Sequence, residues 1–151
     1  MTPSLTLALL LHIMFGIVAV IGAYGAWMSL LRKESRIGSL KIFSALSFFS
    51  FMLSWLAGGY YYLVYYGANV KPLIIKGKYS WAHTVIMEAK EHIFIFLPFL
   101  ALILLCGIIV FGDTVNSDPR LKRPLVVIAG IITVLGIAIT LSGMAISGAV
   151  R

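Results

Sequence analysis

The stretch WAHTVIMEAKEHIFIFLPFLALILLCGIIVF, Trp81 to Phe111, decides the fold. It is an apolar run of membrane-crossing length with Met87-Glu88-Ala89-Lys90-Glu91-His92 set inside it. Insertion scales charge about 2.5–3.5 kcal/mol for each Asp, Lys or Arg at the centre of a transmembrane helix. A cluster of ionisable side chains at that depth marks the first place to look for function.

Three more runs of similar character flank this one, over Leu5–Leu31, Ile42–Tyr66 and Leu125–Val150. Each exceeds the roughly 20 helical residues that span a hydrocarbon core. Backbone groups in lipid must be satisfied within the segment, so the spans are helices. Short connections favour antiparallel neighbours. The expectation is therefore an all-α, integral membrane four-helix transmembrane bundle in which residues 1–151 form a single domain. Composition agrees, with 61% apolar and 11% charged residues where a soluble domain carries about a quarter charged.

The net charge of +7 would suggest nucleic acid in a soluble chain, but here the basic residues gather between apolar runs. Arg32, Lys33, Arg36 and Lys41 occupy the first connection, and Arg120, Lys122 and Arg123 the third. The second holds Lys71, Lys76 and Lys78. The positive-inside rule then puts connections one and three in the cytoplasm and both termini on the outer side, in a prokaryotic cytoplasmic membrane. Tyr60, Tyr61, Tyr62, Tyr65, Tyr66, Tyr79 and Trp81 would form the outer aromatic belt. The second connection, residues 67–80, is expected to lie on the membrane surface, and Pro98 to kink the third span.

The amino end lacks a basic n-region, and its apolar run is too long for a signal peptide. The single cysteine, Cys106, excludes an intramolecular disulfide or a thiolate zinc site. The six methionines are scattered and read as packing rather than a copper relay.

Counting inward from the outer ends of spans one and three, His12 and His92 both fall roughly 12–16 Å below the boundary. At about 100° per residue, Ala8, Gly16, Ala19, Ala23 and Ala26 share the stripe of His12. Trp81, Val85, Glu88, Phe96, Phe99 and Cys106 share that of His92. Gly58, Gly59, Ser142 and Gly143 reach the same level from the other spans. Two level imidazoles with small residues around them suit a flat prosthetic group, and haem is the natural candidate.

This arrangement resembles, in architecture, the small four-helix membrane b-type cytochromes. The resemblance implies one haem b with His12 and His92 as axial iron ligands, Gly16, Gly58, Gly59 and Gly143 giving clearance, and Lys90 reaching a propionate or Glu91. It also implies electron exchange with a quinone pool or with partner redox subunits in the membrane or outside the cytoplasm. Glu88 and Glu91 lie one turn from His92 or beside it and would serve in proton transfer. His83 points to the opposite face about 13 Å away and cannot share that iron.

Several rival readings use the same residues. Packing explains small stripes and lone histidines in membrane bundles, and snorkelling to the headgroups explains Lys90. A non-haem metal could sit on His12, Glu88 and His92. The segment could instead line a proton or cation pathway in a transporter or channel subunit, or bind a neighbour as a structural subunit. A visible absorption spectrum separates haem from the others.

The orientation is directly testable. In a Cys106-free background, Asn69→Cys is expected to react with an impermeant thiol reagent in intact cells and Ser35→Cys to stay unlabelled. The reverse pattern would invert the bundle.

Overall fold

A computed structural model describes residues 2–149. Their secondary structure is helical, and four of the helical rods are long and apolar enough to cross a membrane. The first is α1, Pro3–Leu31. The second begins as α2, Ile37–Tyr61, widens into a π-helical segment over Tyr62–Val70, and continues as α3, Lys71–Lys76. The third has a π-helical start at Ala82–Met87 and runs on as α4, Glu88–Phe111. A single turn, α5, Thr114–Ser117, leads to α6, Pro119–Gly148.

The helix starts follow their local chemistry. Pro119 occupies the first turn of α6, where a missing N–H costs nothing, and the Asp118 carboxylate accepts from Arg120 N–H at 2.8 Å. Pro72 stands at the junction where the π-helical segment passes into α3. Helix persists to Lys76, and Ile74 is fully buried with Tyr66, Ala82 and Ile146. α4 ends at Gly112, whose φ of +47° suits a residue without a side chain, and it continues through Pro98 as helix.

α1 packs on α2 and α6, and α4 packs on the same two helices, giving a four-cornered bundle. Its core is unusually small in side-chain volume along one seam. Ala19, Gly22, Ala23 and Ala26 of α1 are buried, as are Ser44, Ser47, Ser50 and Ser54 of α2. Lipid tails are as apolar as leucine, so membrane helices gain by close backbone approach rather than by escape from solvent. At Gly22 a Cβ would stand 2.8 Å from Ser47 N and 2.9 Å from Phe43 O. Larger apolar residues, including Leu97, Leu104, Ile108 and Ile132, fill the rest of the interior.

One end of the bundle is tied by polar bonds. Ser35 N–H donates to Asn116 Oδ1 and Asn116 Nδ2 donates to Ser35 O, both at 2.9 Å. Lys122 Nζ donates to Arg32 O at 2.7 Å. Ser35 is only 5% exposed, so the exposed neighbour Glu34 is the better labelling position for that end.

The seam generates a paired prediction. Gly22→Ala must force two backbones apart and is expected to cost about 1–3 kcal/mol, read as a lower unfolding midpoint in detergent. Gly59→Ala, where a Cβ meets nothing within 4 Å, is expected to leave the midpoint unchanged or raised.

Candidate functional site

The α1–α2 seam ends at His12. Its Nδ1 lies 2.9 Å from the Ser54 carbonyl, which can only accept, so Nδ1 carries the hydrogen. Ser54 Oγ donates back to the His12 carbonyl at 2.9 Å and lies 3.0 Å from Nδ1. Gly58, one turn further along α2, leaves room for the ring: a Cβ there would fall 2.5 Å from His12 Nδ1. Phe94 meets the imidazole edge-on with centroids 6.0 Å apart. The neutral ring is therefore fixed as the Nδ1–H tautomer, with its lone pair on Nε2.

That ring lines a cavity of about 450 Å³ enclosed by α1, α2, α4 and α6. The walls are mostly apolar, with Val20, Phe51, Phe94, Leu97 and Ile139 among them. Exposed Ile13, Ile17 and Met144 mark its mouth between α1 and α6, on the side that faces lipid in a membrane. Thr140 and Ser147 also line it, but their hydroxyls donate to Gly136 O and Gly143 O of their own helix, each at 2.9 Å.

Lys90 is the second polar group of the cavity. Its ammonium lies against α6 at Gly143, 3.4 Å from the place a Cβ would take. Among the described residues, the lysine that makes side-chain hydrogen bonds is Lys122, at the opposite end of the bundle. Lys90 therefore heads the inward stripe of α4, followed by Phe94, Leu97, Ala101, Leu104 and Ile108, rather than snorkelling outward.

His92 lies on the other face. Trp81, Val85, Glu88, His92, Phe96, Phe99 and Cys106 do form one stripe, as the 100° spacing predicts, but every member is exposed. His92 Nδ1 donates to the carbonyl of Glu88 at 2.7 Å, on its own helix. The structure thus does not bring His12 and His92 to one cavity. The physical reason is volume: bulky side chains sit against lipid, while small ones and Lys90 turn to the neighbouring helices. Among the described residues no group of three or more His, Cys, Asp and Glu could hold a metal ion, which also separates His12 from Glu88 and His92 as a ligand set.

The glycines divide in the same way. Gly16 and Gly143 line the cavity, Gly58 accommodates the imidazole, and Gly59 faces open space. Glu88 is exposed, whereas Glu91 is half-buried with Oε1 inside and unpartnered among the described residues. Sequence reasoning missed Ser54, although serines at 44, 47, 50 and 54 share one helical face. It also left His83 without a role. That imidazole is buried, with Nδ1 3.0 Å from the Tyr66 hydroxyl.

Gly58→Ala is expected to push the His12 ring from its seat and break its bond to Ser54. The His12 imidazole resonances in NMR should then show loss of the single Nδ1–H tautomer, while Gly59→Ala leaves them as in the wild type. No protein-family model, curated protein or solved structure matches this chain.

Proposed function

We propose that this chain is a membrane electron-transfer subunit whose cavity receives the headgroup of a quinone-class carrier from the lipid phase. The observation that carries the reading is the Nδ1–H bond from His12 to Ser54, which leaves a basic Nε2 in the same cavity as the Lys90 ammonium. One polar group accepts a hydrogen and the other donates. A hydroquinone presents both complements, an O–H and an acceptor oxygen, on an apolar body suited to the walls. A simple anion would satisfy Lys90 and leave the imidazole lone pair unmatched.

On oxidation the hydroquinone loses two protons and two electrons: one O–H passes its proton to His12 Nε2 while Lys90 stabilises the negative charge that develops on oxygen, His12 releases that proton to water and takes the second, and the two electrons leave to a redox centre of a partner subunit. Such a small chain supplies orientation and proton handling while cofactors carry the electron chemistry.

A second reading draws on the same bond. A backbone carbonyl on Nδ1–H is the usual outer partner of an iron-ligating imidazole, so His12 would hold one haem b through Nε2, with Lys90 toward a propionate.

Equilibrium binding of decylubiquinol, kept reduced under anaerobic conditions, to the purified protein in lipid nanodiscs tests the first reading. Lys90→Met and His12→Phe are each expected to weaken binding about tenfold or more, the scale of a lost charge-assisted hydrogen bond, and His92→Ala to leave it unchanged. Wild-type affinity in both cavity variants overturns the reading. A reducible Soret band present in the wild type and lost in His12→Ala would establish haem instead.

A further inference from the structure

α6 carries a second feature, toward the end of the bundle remote from His12. Val127, Gly130, Ile131 and Val134 line an open apolar groove that Trp27 of α1 closes on one side. Gly130 makes the groove possible: a Cβ there would stand 3.1 Å from Trp27 Cε2 and Nε1, so the indole lies directly on the α6 backbone. The indole N–H has no acceptor among the described residues, and it is the one side-chain donor in a lining otherwise made of valine, leucine, isoleucine and glycine. A ring set this way takes its acceptor from whatever fills the groove.

The groove runs up to a basic rim. Arg123 lies on the groove's own stripe of α6, at helical spacing before Val127, Gly130 and Val134. Arg120 continues the stripe outward, and both arginines are exposed. Arg32 reaches the same rim from α1, because Lys122 Nζ donates to the Arg32 carbonyl at 2.7 Å and to that of Lys33 at 3.2 Å. Residues 32–41 and 113–123 together hold seven lysines and arginines against three carboxylates, and one of the three, Asp118, is engaged by the Arg120 N–H. The rim thus has an excess of cations, and its guanidiniums suit the paired oxygens of a phosphate.

From the rim inward the chemistry runs guanidinium, indole N–H, apolar wall. A phospholipid presents the complementary order of phosphate, ester carbonyl and acyl chain. Gly130, with the indole on it, lies about 10 Å inward of Arg123 along α6, so the donor sits beneath the rim rather than within it. We propose that this groove binds one anionic phospholipid, with its phosphate on Arg123 and Arg32, an ester carbonyl on the Trp27 N–H, and an acyl chain along Ile131 and Val134. Charge selects the headgroup, since a zwitterionic lipid brings a cation of its own among the arginines and an anionic one does not. The groove and the His12 cavity are separate sites, because no residue lines both.

Quenching of Trp27 fluorescence by lipids brominated on the acyl chain tests the site. The full chain, with Trp55→Phe and Trp81→Phe so that Trp27 alone reports, is reconstituted in phosphatidylcholine vesicles. Dibrominated phosphatidylglycerol is then compared with dibrominated phosphatidylcholine of the same chain length. The phosphatidylglycerol is expected to be preferred about tenfold or more, and Arg123→Gln and Arg32→Gln each to lower that preference about fivefold, the effect of one cation near a membrane surface. Lys41→Gln, at the same end but on α2, which does not line the groove, is expected to leave it within about twofold, because screening confines a charge to its surroundings. Equal quenching by the two lipids in the wild type overturns the proposal, as does a preference unchanged in both arginine variants. An equal loss in Lys41→Gln overturns it too, since diffuse surface charge would then account for the preference.

Discussion

The close approach of α1 to α2 is the constraint on which the remaining geometry rests. In hydrocarbon surroundings an exposed leucine loses nothing, so helices are held by contacts that lipid cannot supply. Here those contacts come from Ala19, Gly22, Ala23 and Ala26 against Ser44, Ser47, Ser50 and Ser54. Ser44 Oγ satisfies itself on the Leu40 carbonyl at 2.7 Å, which lets its polar group be buried without a partner from α1. At the end of the same seam, Ser54 turns from packing to positioning by clamping His12 at both its ring and its backbone. The side chain that carries the proposed chemistry is thus held by the surface that holds the bundle together.

The two histidines of similar depth show why local bonding alone does not assign a role. Each directs Nδ1–H to a backbone carbonyl, at 2.9 Å for His12 and 2.7 Å for His92, and each therefore has the same free nitrogen. The acceptor for His92 is on its own helix, one turn back, and its ring stands on the exposed face. For His12 the acceptor is on the next helix, which pins the ring between two rods and presents it to an enclosed space. Placement separates a cavity base from a surface imidazole.

The four spans were legible because length and apolarity alone satisfy the bilayer's demands. Within α4 the periodicity also grouped exposed residues together, since Glu88, His92, Phe96, Phe99 and Cys106 of the His92 stripe share one exposure class. What periodicity lacks is a sign. It cannot say which face turns inward, and the aromatic bulk of that stripe, with Phe96 and Phe99, was the available clue that it faces lipid. For Lys90, depth alone allowed snorkelling as a rival reading, while its face heads an inward row. The Tyr66–His83 pair was beyond reach for a different reason. It spans the second connection, and π-helical winding breaks the 100° rule on which the stripes were drawn.

The polar tie between Ser35 and Asn116, with Lys122 across the first connection, sits at the end of the bundle remote from the cavity. No connecting loop joins α1 to α6, the two rods that frame the cavity mouth. The two rods are thus tied by polar bonds at one end and by no connection at the cavity mouth. Widening there displaces only apolar contacts that lipid can replace.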